Sequence, residues 1–315
     1  MIYVLVPAFD EAATVGLLLW KVRQVFTAFN REYQLLVVND GSTDATDEVL
    51  APYARALPLT LITHRHRQGY AKSLEALLRA AVGRSDRPRR DMAVTVQADF
   101  SDSPDDIPEL VKRIEGGADI AVADRRLRPD APRPERLARR LLPAMVRTSL
   151  TVAGATDYVS TLRAYRLASV ERLVREAGAS PIVTRDGWAA DLELLVKLSR
   201  HARKIESVPV TGTLAARQRP SRAAPLSLAW EVFRAARALR GAMIAPVAAP
   251  AAAAARTETA APGRAAAPAG AARAADEQQG DRKRQHRRRR GRGGRGGKGR
   301  GQGPARPRAP SPPLA

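Results

Sequence analysis

The 315-residue chain has no cysteine. Disulfides and thiolate metal centres are therefore excluded, and the lack fits a cytoplasmic setting. No run of about 18 apolar residues occurs, so no helix is expected to span a bilayer and any membrane contact is expected to be peripheral. Ahead of the strand-like segment Ile2-Tyr3-Val4-Leu5-Val6 there is no basic stretch followed by an apolar one, so no secretory signal is expected. Past Ala245 large apolar side chains almost vanish, and the Ala/Pro/Gly-rich then Arg/Gly-rich sequence of 245–315 cannot bury enough surface to offset its ordering entropy. That segment is expected to be disordered.

What the tail does hold is charge. Between Arg282 and Arg308 lie 13 Lys/Arg and no acid, whereas residues 1–244 carry 37 basic against 28 acidic side chains. The formal net charge of +21 thus describes the tail more than the remainder. The tail has no aromatic residue on which bases could stack. Non-specific, salt-sensitive nucleic-acid binding, attraction to anionic lipid and simple solvation all stay open for it.

Upstream, β-branched runs alternate with helical periodicity. Strands are expected at 2–6, 34–38, 59–63, 92–96 and 119–123, and helices around 15–29, 44–56, 69–82 and 105–115. Such alternation implies βαβ units and a mostly parallel sheet covered by helices on both faces, with ligands bound beyond the C-terminal strand ends. Further on, helices are expected at 135–153 and 186–201 and strands at 161–165 and 205–210. The expected organisation is an α/β domain over 1–224, an amphipathic helix over 225–244 and the tail over 245–315.

Polar motifs follow the strands. After the first comes Pro7-Ala8-Phe9-Asp10-Glu11, and after the second Asn39-Asp40-Gly41-Ser42-Thr43-Asp44. Gly41 suits a strand-to-helix turn that displays Asp40, and Ser42 or Thr43 suits a cap on the next helix. Asp40 can accept from the N–H edge of a nucleobase or serve the cap alone. After the fourth strand comes Gln97-Ala98-Asp99-Phe100-Ser101, where Asp99 and Ser101 can face one way as hard oxygen ligands for Mg²⁺ or Mn²⁺. Asp102 and Ser103 suit the start of the helix near Pro104. His64, His66 and His201 show no ligating spacing and read as surface residues.

These segments, in order over about residues 2–212, resemble family 2 glycosyltransferases of the GT-A fold, particularly the dolichol- or polyprenyl-phosphate sugar synthases. The motifs that carry the resemblance are Val6–Glu11, Val38–Asp44, Gly69 with Ser73, Gln97–Ser101 leading into Asp106-Ile107-Pro108-Glu109-Leu110, Ala123-Asp124-Arg125, Asp191–Leu195 and Val208-Pro209-Val210. The resemblance implies a GT-A, Rossmann-like sheet and sugar transfer from a nucleoside diphosphate sugar, with polyprenyl phosphate as a possible acceptor. It implies that Pro7, Phe9 and Glu11 line the nucleoside pocket beside Gln97 and Ala98, that Asp40 meets the base, and that Asp99 holds the cation. Arg125 would sit near donor or acceptor phosphates. Asp157 would orient the acceptor or act as base, or else cap the following strand. Asp191 and Glu193, two apart on one helix and hence on different faces, are the candidates for a catalytic carboxylate. Two departures stand out: Gln97 and Asn39 occupy positions where the family carries acids. They keep a second reading open, a catalytically degenerate sugar-nucleotide-binding or scaffold protein, and the tail keeps a third, an RNA-associated protein.

In 225–244, Leu228, Val232, Ala235, Leu239 and Ala242 share one helical face, with Arg234, Arg237 and Arg240 opposite and Trp230 and Phe233 at the boundary. That pattern suits a lipid headgroup interface, or docking onto the protein's own core.

Overall fold

The computed structural model describes residues 1–126, 133–211 and 225–244. The chain divides into compact units at Ala254/Ala255, and all described residues belong to the first. The expected tail lies outside the described residues.

Seven strands form one sheet: β1 (Ile2–Ala8), β2 (Tyr33–Asn39), β3 (Leu59–Thr63), β4 (Met92–Thr95), β5 (Ile120–Arg126), β6 (Arg163–Arg166) and β7 (Ile205–Thr211). Their order is β3-β2-β1-β4-β6-β5-β7. All neighbouring pairs are parallel except those of β6, which runs antiparallel to both β4 and β5. The eight helices of the described residues are α1 (Val15–Phe29), α2 (Thr46–Ala56), α3 (Tyr70–Arg84), α4 (Ile107–Glu115), α5 (Arg133–Arg147), α6 (Leu167–Ala177), α7 (Trp188–Ser199) and α8 (Pro225–Ile244).

Strand periodicity assigns the two faces. In β1, Ile2, Val4, Val6 and Ala8 enter one core layer with Val15, Leu18, Leu19 and Val22 of α1 and Ile107, Leu110 and Ile114 of α4. Tyr3 and Leu5 point the other way, into a second layer with Leu74, Leu77 and Leu78 of α3 and the apolar residues of α6 and α7. Because both faces are covered, β1 reads as an unbroken apolar run rather than an alternation, and every one of its residues is buried. α6 escaped the sequence reading, although Leu167, Val170 and Leu173 repeat every three residues and are buried.

α8 packs against α5 and α7. Ala229, Val232, Ala235, Ala236 and Leu239 are buried in the second layer, so this apolar stripe serves the protein's own core and is not open to a bilayer. Trp230, by contrast, is 56% exposed and lies against the Phe233 ring. The side chains of Leu228 and Ala242 lie outside the described residues. No helix of the described residues is long and apolar enough to cross a membrane.

Candidate active site

Parallel pairing in register brings the ends of three strands together. Pro7 and Ala8 of β1 lie beside Val38 and Asn39 of β2, while Leu5 lies beside Thr95 of β4. The Asp40 N–H donates to the Ala8 carbonyl and the Val96 N–H to that of Leu5, carrying the pairing into the loops. The result is a cleft of about 160 Å³ lined by Pro7, Ala8, Phe9, Glu11, Asp40, Arg67, Tyr70, Ser73, Gln97, Ala98 and Asp99. Arg67, Tyr70 and Ser73 were not singled out from sequence as site residues. They come from α3 and the loop before it, brought here by the β3–α3 crossover.

Asp40 is 3% exposed and heavily engaged. Its Oδ1 faces His64 Nδ1 at 2.7 Å and accepts the Gln68 N–H at 2.9 Å, while Oδ2 accepts the Gly69 N–H at 2.8 Å. Of roughly four lone-pair positions on a carboxylate, one remains on Oδ2 for a ligand. Asp40 thus caps the approach to α3 rather than the helix that follows it in sequence, and His64 is a half-buried partner rather than a surface residue. The start of α2 is held by Asp44, whose Oδ1 accepts the Thr46 N–H. Ser42 and Thr43 instead tie the turn to the first loop, Ser42 Oγ accepting the Asp10 N–H and the Thr43 N–H donating to Asp10 Oδ1.

Asn39 is fully buried. Its amide donates to Asp47 Oδ1 at 2.6 Å, and its carbonyl oxygen accepts from the Ser42 N–H and hydroxyl. A carboxylate could not donate to Asp47, so the amide at this position has a local structural cause. His201, only partly buried, faces Glu176 at 2.8 Å.

The loop after β4 turns through Phe100, a buried aromatic residue at φ 57°, a left-handed conformation that is uncommon for a bulky side chain. Asp99 Oδ1 accepts the Ser101 N–H at 2.9 Å. Asp102 turns inward to accept the Thr161 hydroxyl, leaving Ser103 as the cap of a short 3-10 turn at Pro104–Asp106. Among the described residues no three His, Cys, Asp or Glu gather as a preformed metal cluster. The Asp99 carboxylate and the Gln97 amide oxygen on the cleft wall are nonetheless hard donors, and a divalent cation held by one or two protein oxygens with substrate phosphates fits that set. Ser101 contributes its N–H to Asp99, and its side chain is not on the cleft wall.

A second, smaller cavity of about 60 Å³ is lined by Asp124, Leu142, Pro143, Thr156, Asp157, Tyr158 and Val159. Asp157 Oδ1 accepts the N–H groups of Val159 and Ser160, both at 2.8 Å, which fixes the turn into β6. Arg125 lies next to Asp124 near the end of β5, in register with Val210.

The two carboxylates of α7 line neither cavity. Glu193 accepts the Thr184 and Arg185 N–H groups and pairs with Lys197 at 2.8 Å. Burial works to raise its pKa, but these donors outweigh it and leave the group below its ordinary value. Asp191 lies beneath Tyr70, which donates from its hydroxyl to Oδ1 at 2.9 Å. Burial raises the Asp191 pKa to about 7 against the lowering effects of Arg163 and Tyr70, and Asp157 adds to the rise. The segment leading into α7 also supplies Asp186, whose Oδ1 accepts the Ala71 N–H. The start of α3 is therefore held at three points, by Asp40, Asp186 and Asp191. Gly69, at φ 97°, makes the approach possible, since a Cβ there would stand 2.8 Å from Asp186 Oδ2.

The architecture and the cleft at its strand ends agree with a family-level comparison. Residues 3–174 match the model for "Glycosyl transferase family 2", more than half of the chain. The chain belongs to glycosyl transferase family 2. The undecaprenyl-phosphate 4-deoxy-4-formamido-L-arabinose transferase of Photorhabdus laumondii is 29% identical over 172 residues, 55% of this chain and 51% of its own. The like-named protein of Pseudomonas paraeruginosa is 28% identical over 191 residues, 60% and 54% of the two chains. This family 2 chain thus spans about half the length of the curated relatives it matches. Among solved structures, a mycobacterial protein aligns with TM-score 0.55 at 20% identity, covering 76% of this chain and 75% of the other. Glucosyl-3-phosphoglycerate synthase from Mycobacterium tuberculosis, solved with Mn²⁺, UDP and glucosyl-3-phosphoglycerate, aligns with TM-score 0.53 at 20% identity over 76% and 80%. Identity at that level establishes the GT-A fold alone.

Proposed function

We propose that this family 2 protein transfers a sugar from a nucleoside diphosphate sugar to an acceptor of the polyprenyl phosphate class, with Mg²⁺ or Mn²⁺ bound beside Asp99. The observation that carries this reading is the convergence of Pro7, Phe9, Glu11, Asp40, Gln97 and Asp99 from three different strand ends on one cleft. Phe9 offers an aromatic face to a base, and the remaining lone pair of Asp40 Oδ2 suits a base N–H. Oxygens of Asp99 and Gln97 would hold the cation, which when bound neutralises charge on the departing diphosphate. An acceptor phosphate oxygen attacks the anomeric carbon. The bond from that carbon to the diphosphate oxygen breaks, and its electron pair leaves with the nucleoside diphosphate. An ionised phosphate needs no proton removed, which agrees with α7 carboxylates that are engaged within the protein.

The second cavity, with Asp157 on its wall and Arg125 on the neighbouring strand, is the proposed place of the acceptor phosphate. Peripheral contact with the membrane holding such an acceptor, at its cytoplasmic face, belongs to the same reading. The exposed Leu137 and Leu141 of α5 and Trp230 of α8 are apolar side chains open to it, whereas Val232 and Leu239 are not.

The test is incubation of the full chain with UDP-, GDP- and dTDP-sugars, undecaprenyl phosphate and Mn²⁺ or Mg²⁺, followed by mass spectrometry of the lipid. A glycosylated lipid phosphate that disappears in Asp99→Asn supports transfer. Gln97, an amide where the family carries an acid, favours a second reading, a binder without turnover. Nucleotide binding with no product from any donor would establish that reading instead.

A further inference from the structure

A buried polar chain runs behind the cleft. Tyr70, on the cleft wall, donates its hydroxyl to Asp191 Oδ1 at 2.9 Å. The backbone carbonyl of Asp191 accepts from Arg163 Nη1, and Arg163 Nη2 donates to the Tyr158 carbonyl at 2.9 Å. Tyr158 belongs to the wall of the second cavity. A line of hydrogen bonds between the two cavities thus passes through the side chain and backbone of Asp191 and the side chain of Arg163, residues that line neither cavity. Arg163 is completely buried and Asp191 is 2% exposed. Asp191 Oδ2, Arg163 Nε and the Tyr158 hydroxyl have no hydrogen-bond partner among the described residues.

Leaving such groups incompletely satisfied is destabilising, more so where they are charged. An apolar residue in place of Asp191 would avoid that cost if packing were its only task. The ionised form also has a specific use. A carboxylate holds a phenol O–H with a charge-assisted bond roughly twice as strong as the bond to a neutral carboxyl. Its oxygen thereby fixes the Tyr70 ring, which forms part of the cleft.

We propose, on the basis of the donor-binding reading of the cleft, that Asp191 is a positioning residue whose carboxylate sets the cleft wall through Tyr70. The groups facing its carboxyl are Tyr70 from α3, Arg163 and Tyr165 from β6, and Asp157 from the preceding turn. With Asp191 titrating near pH 7, the grip on Tyr70 is weak below neutrality and strong above it. Tyr70 itself remains protonated throughout, its pKa held well above the ordinary value by burial and then by Asp191.

The experiment is calorimetric titration of the full chain with UDP, GDP and dTDP, each with Mn²⁺, from pH 6 to pH 8.5. Wild type, Asp191→Asn and Tyr70→Phe are compared, and circular dichroism checks the fold of each. The nucleotide's own phosphate titration is common to all three and cancels in the comparison. Wild type is expected to gain about fivefold in affinity across neutrality beyond the gain of Asp191→Asn, the ratio expected for losing one charge-assisted bond. Tyr70→Phe, with Asp191 intact, is expected to follow the asparagine variant. A merely structural carboxylate would lower affinity at every pH and leave the profile unchanged. If Asp191→Asn or Tyr70→Phe retains the wild-type profile, the positioning role is overturned while donor binding stands. If wild type binds none of the three nucleotides, the donor reading falls, and this inference falls with it.

Discussion

The guanidinium carbon of Arg67 stands 4.3 Å from the centroid of the Phe9 ring, on the wall of the cleft. Two residues 58 positions apart in the sequence thus form a cation–π pair where a nucleobase is proposed to bind. Phe9→Ala removes both the aromatic face and the partner of Arg67. It is expected to weaken nucleotide affinity about tenfold, in line with roughly 1–2 kcal/mol for such a contact. Arg67→Ala keeps the ring and is expected to cost less. Calorimetry with UDP, GDP or dTDP checks the order, and a larger loss in Arg67→Ala would contradict the stacking role of Phe9.

The cation site supplies the second expectation. Asp99→Asn should abolish the gain in nucleotide affinity that Mn²⁺ gives, because the remaining donors are neutral. Gln97→Asp adds a second hard anionic ligand and should lower the Mn²⁺ concentration needed for half-maximal nucleotide binding, by about tenfold for each 1.4 kcal/mol gained. A metal titration at fixed nucleotide reads both. Equal metal dependence in wild type and Asp99→Asn would remove Asp99 from the site.

Asn39 offers a test of local structure against family pattern. Asn39→Asp would set two carboxylates against each other at the present 2.6 Å contact with Asp47, one of them fully buried. Stability at pH 7 is expected to fall by roughly 1–3 kcal/mol, and the loss should shrink as the pH drops and one of the pair takes up a proton. Urea unfolding of both proteins at pH 7 and pH 4.5 measures it. A more stable variant would show that the Asn39–Asp47 bond contributes nothing.

Asp191 should also leave a mark on stability. Its folded pKa, about 7, lies above its ordinary value of 3.8, so the unfolded chain releases this proton first as the pH rises. The group's contribution to stability is full below about pH 4 and is lost progressively up to about pH 7. The loss is on the order of 4 kcal/mol at most. Asp191→Asn cannot ionise, so its stability should gain on that of wild type across this window and run parallel above it. Unfolding midpoints measured from pH 4 to pH 8 give the difference curve, and a flat difference would show that Asp191 is ionised throughout.

Much of this was legible in the sequence because it is local. Apolar periodicity located the strands and most of the helices, since burying a strand on both faces or a helix on one leaves an unmistakable spacing. The motifs after β1, β2 and β4 marked the cleft because ligands of such sheets gather at those ends, and the order of the motifs pointed to family 2. Less of the charge network could be read. The sequence allowed Asp40 to cap the following helix, but three of its acceptor positions are taken by His64, Gln68 and Gly69, which a crossover brings back beside it. His64 and His201 read as surface residues for the same reason, each being partly buried against a partner distant in sequence.

The amphipathic stripe of α8 shows the limit most clearly. A stripe with arginines opposite fits a headgroup layer or a protein core equally well, and only the positions of α5 and α7 decide that Val232, Ala235 and Leu239 face the core. By itself the sequence determined the α/β class, the family and the strand ends that line the cleft, because backbone periodicity and short motifs are written within a few residues of one another. The tertiary structure alone decided that Asp191 and Glu193 turn inward to brace α3 and its neighbouring loop, and that Arg67 and Tyr70 complete the cleft. A hydrogen bond or a stacked ring depends on distance in space, and chain separation says nothing about it until the crossovers have closed.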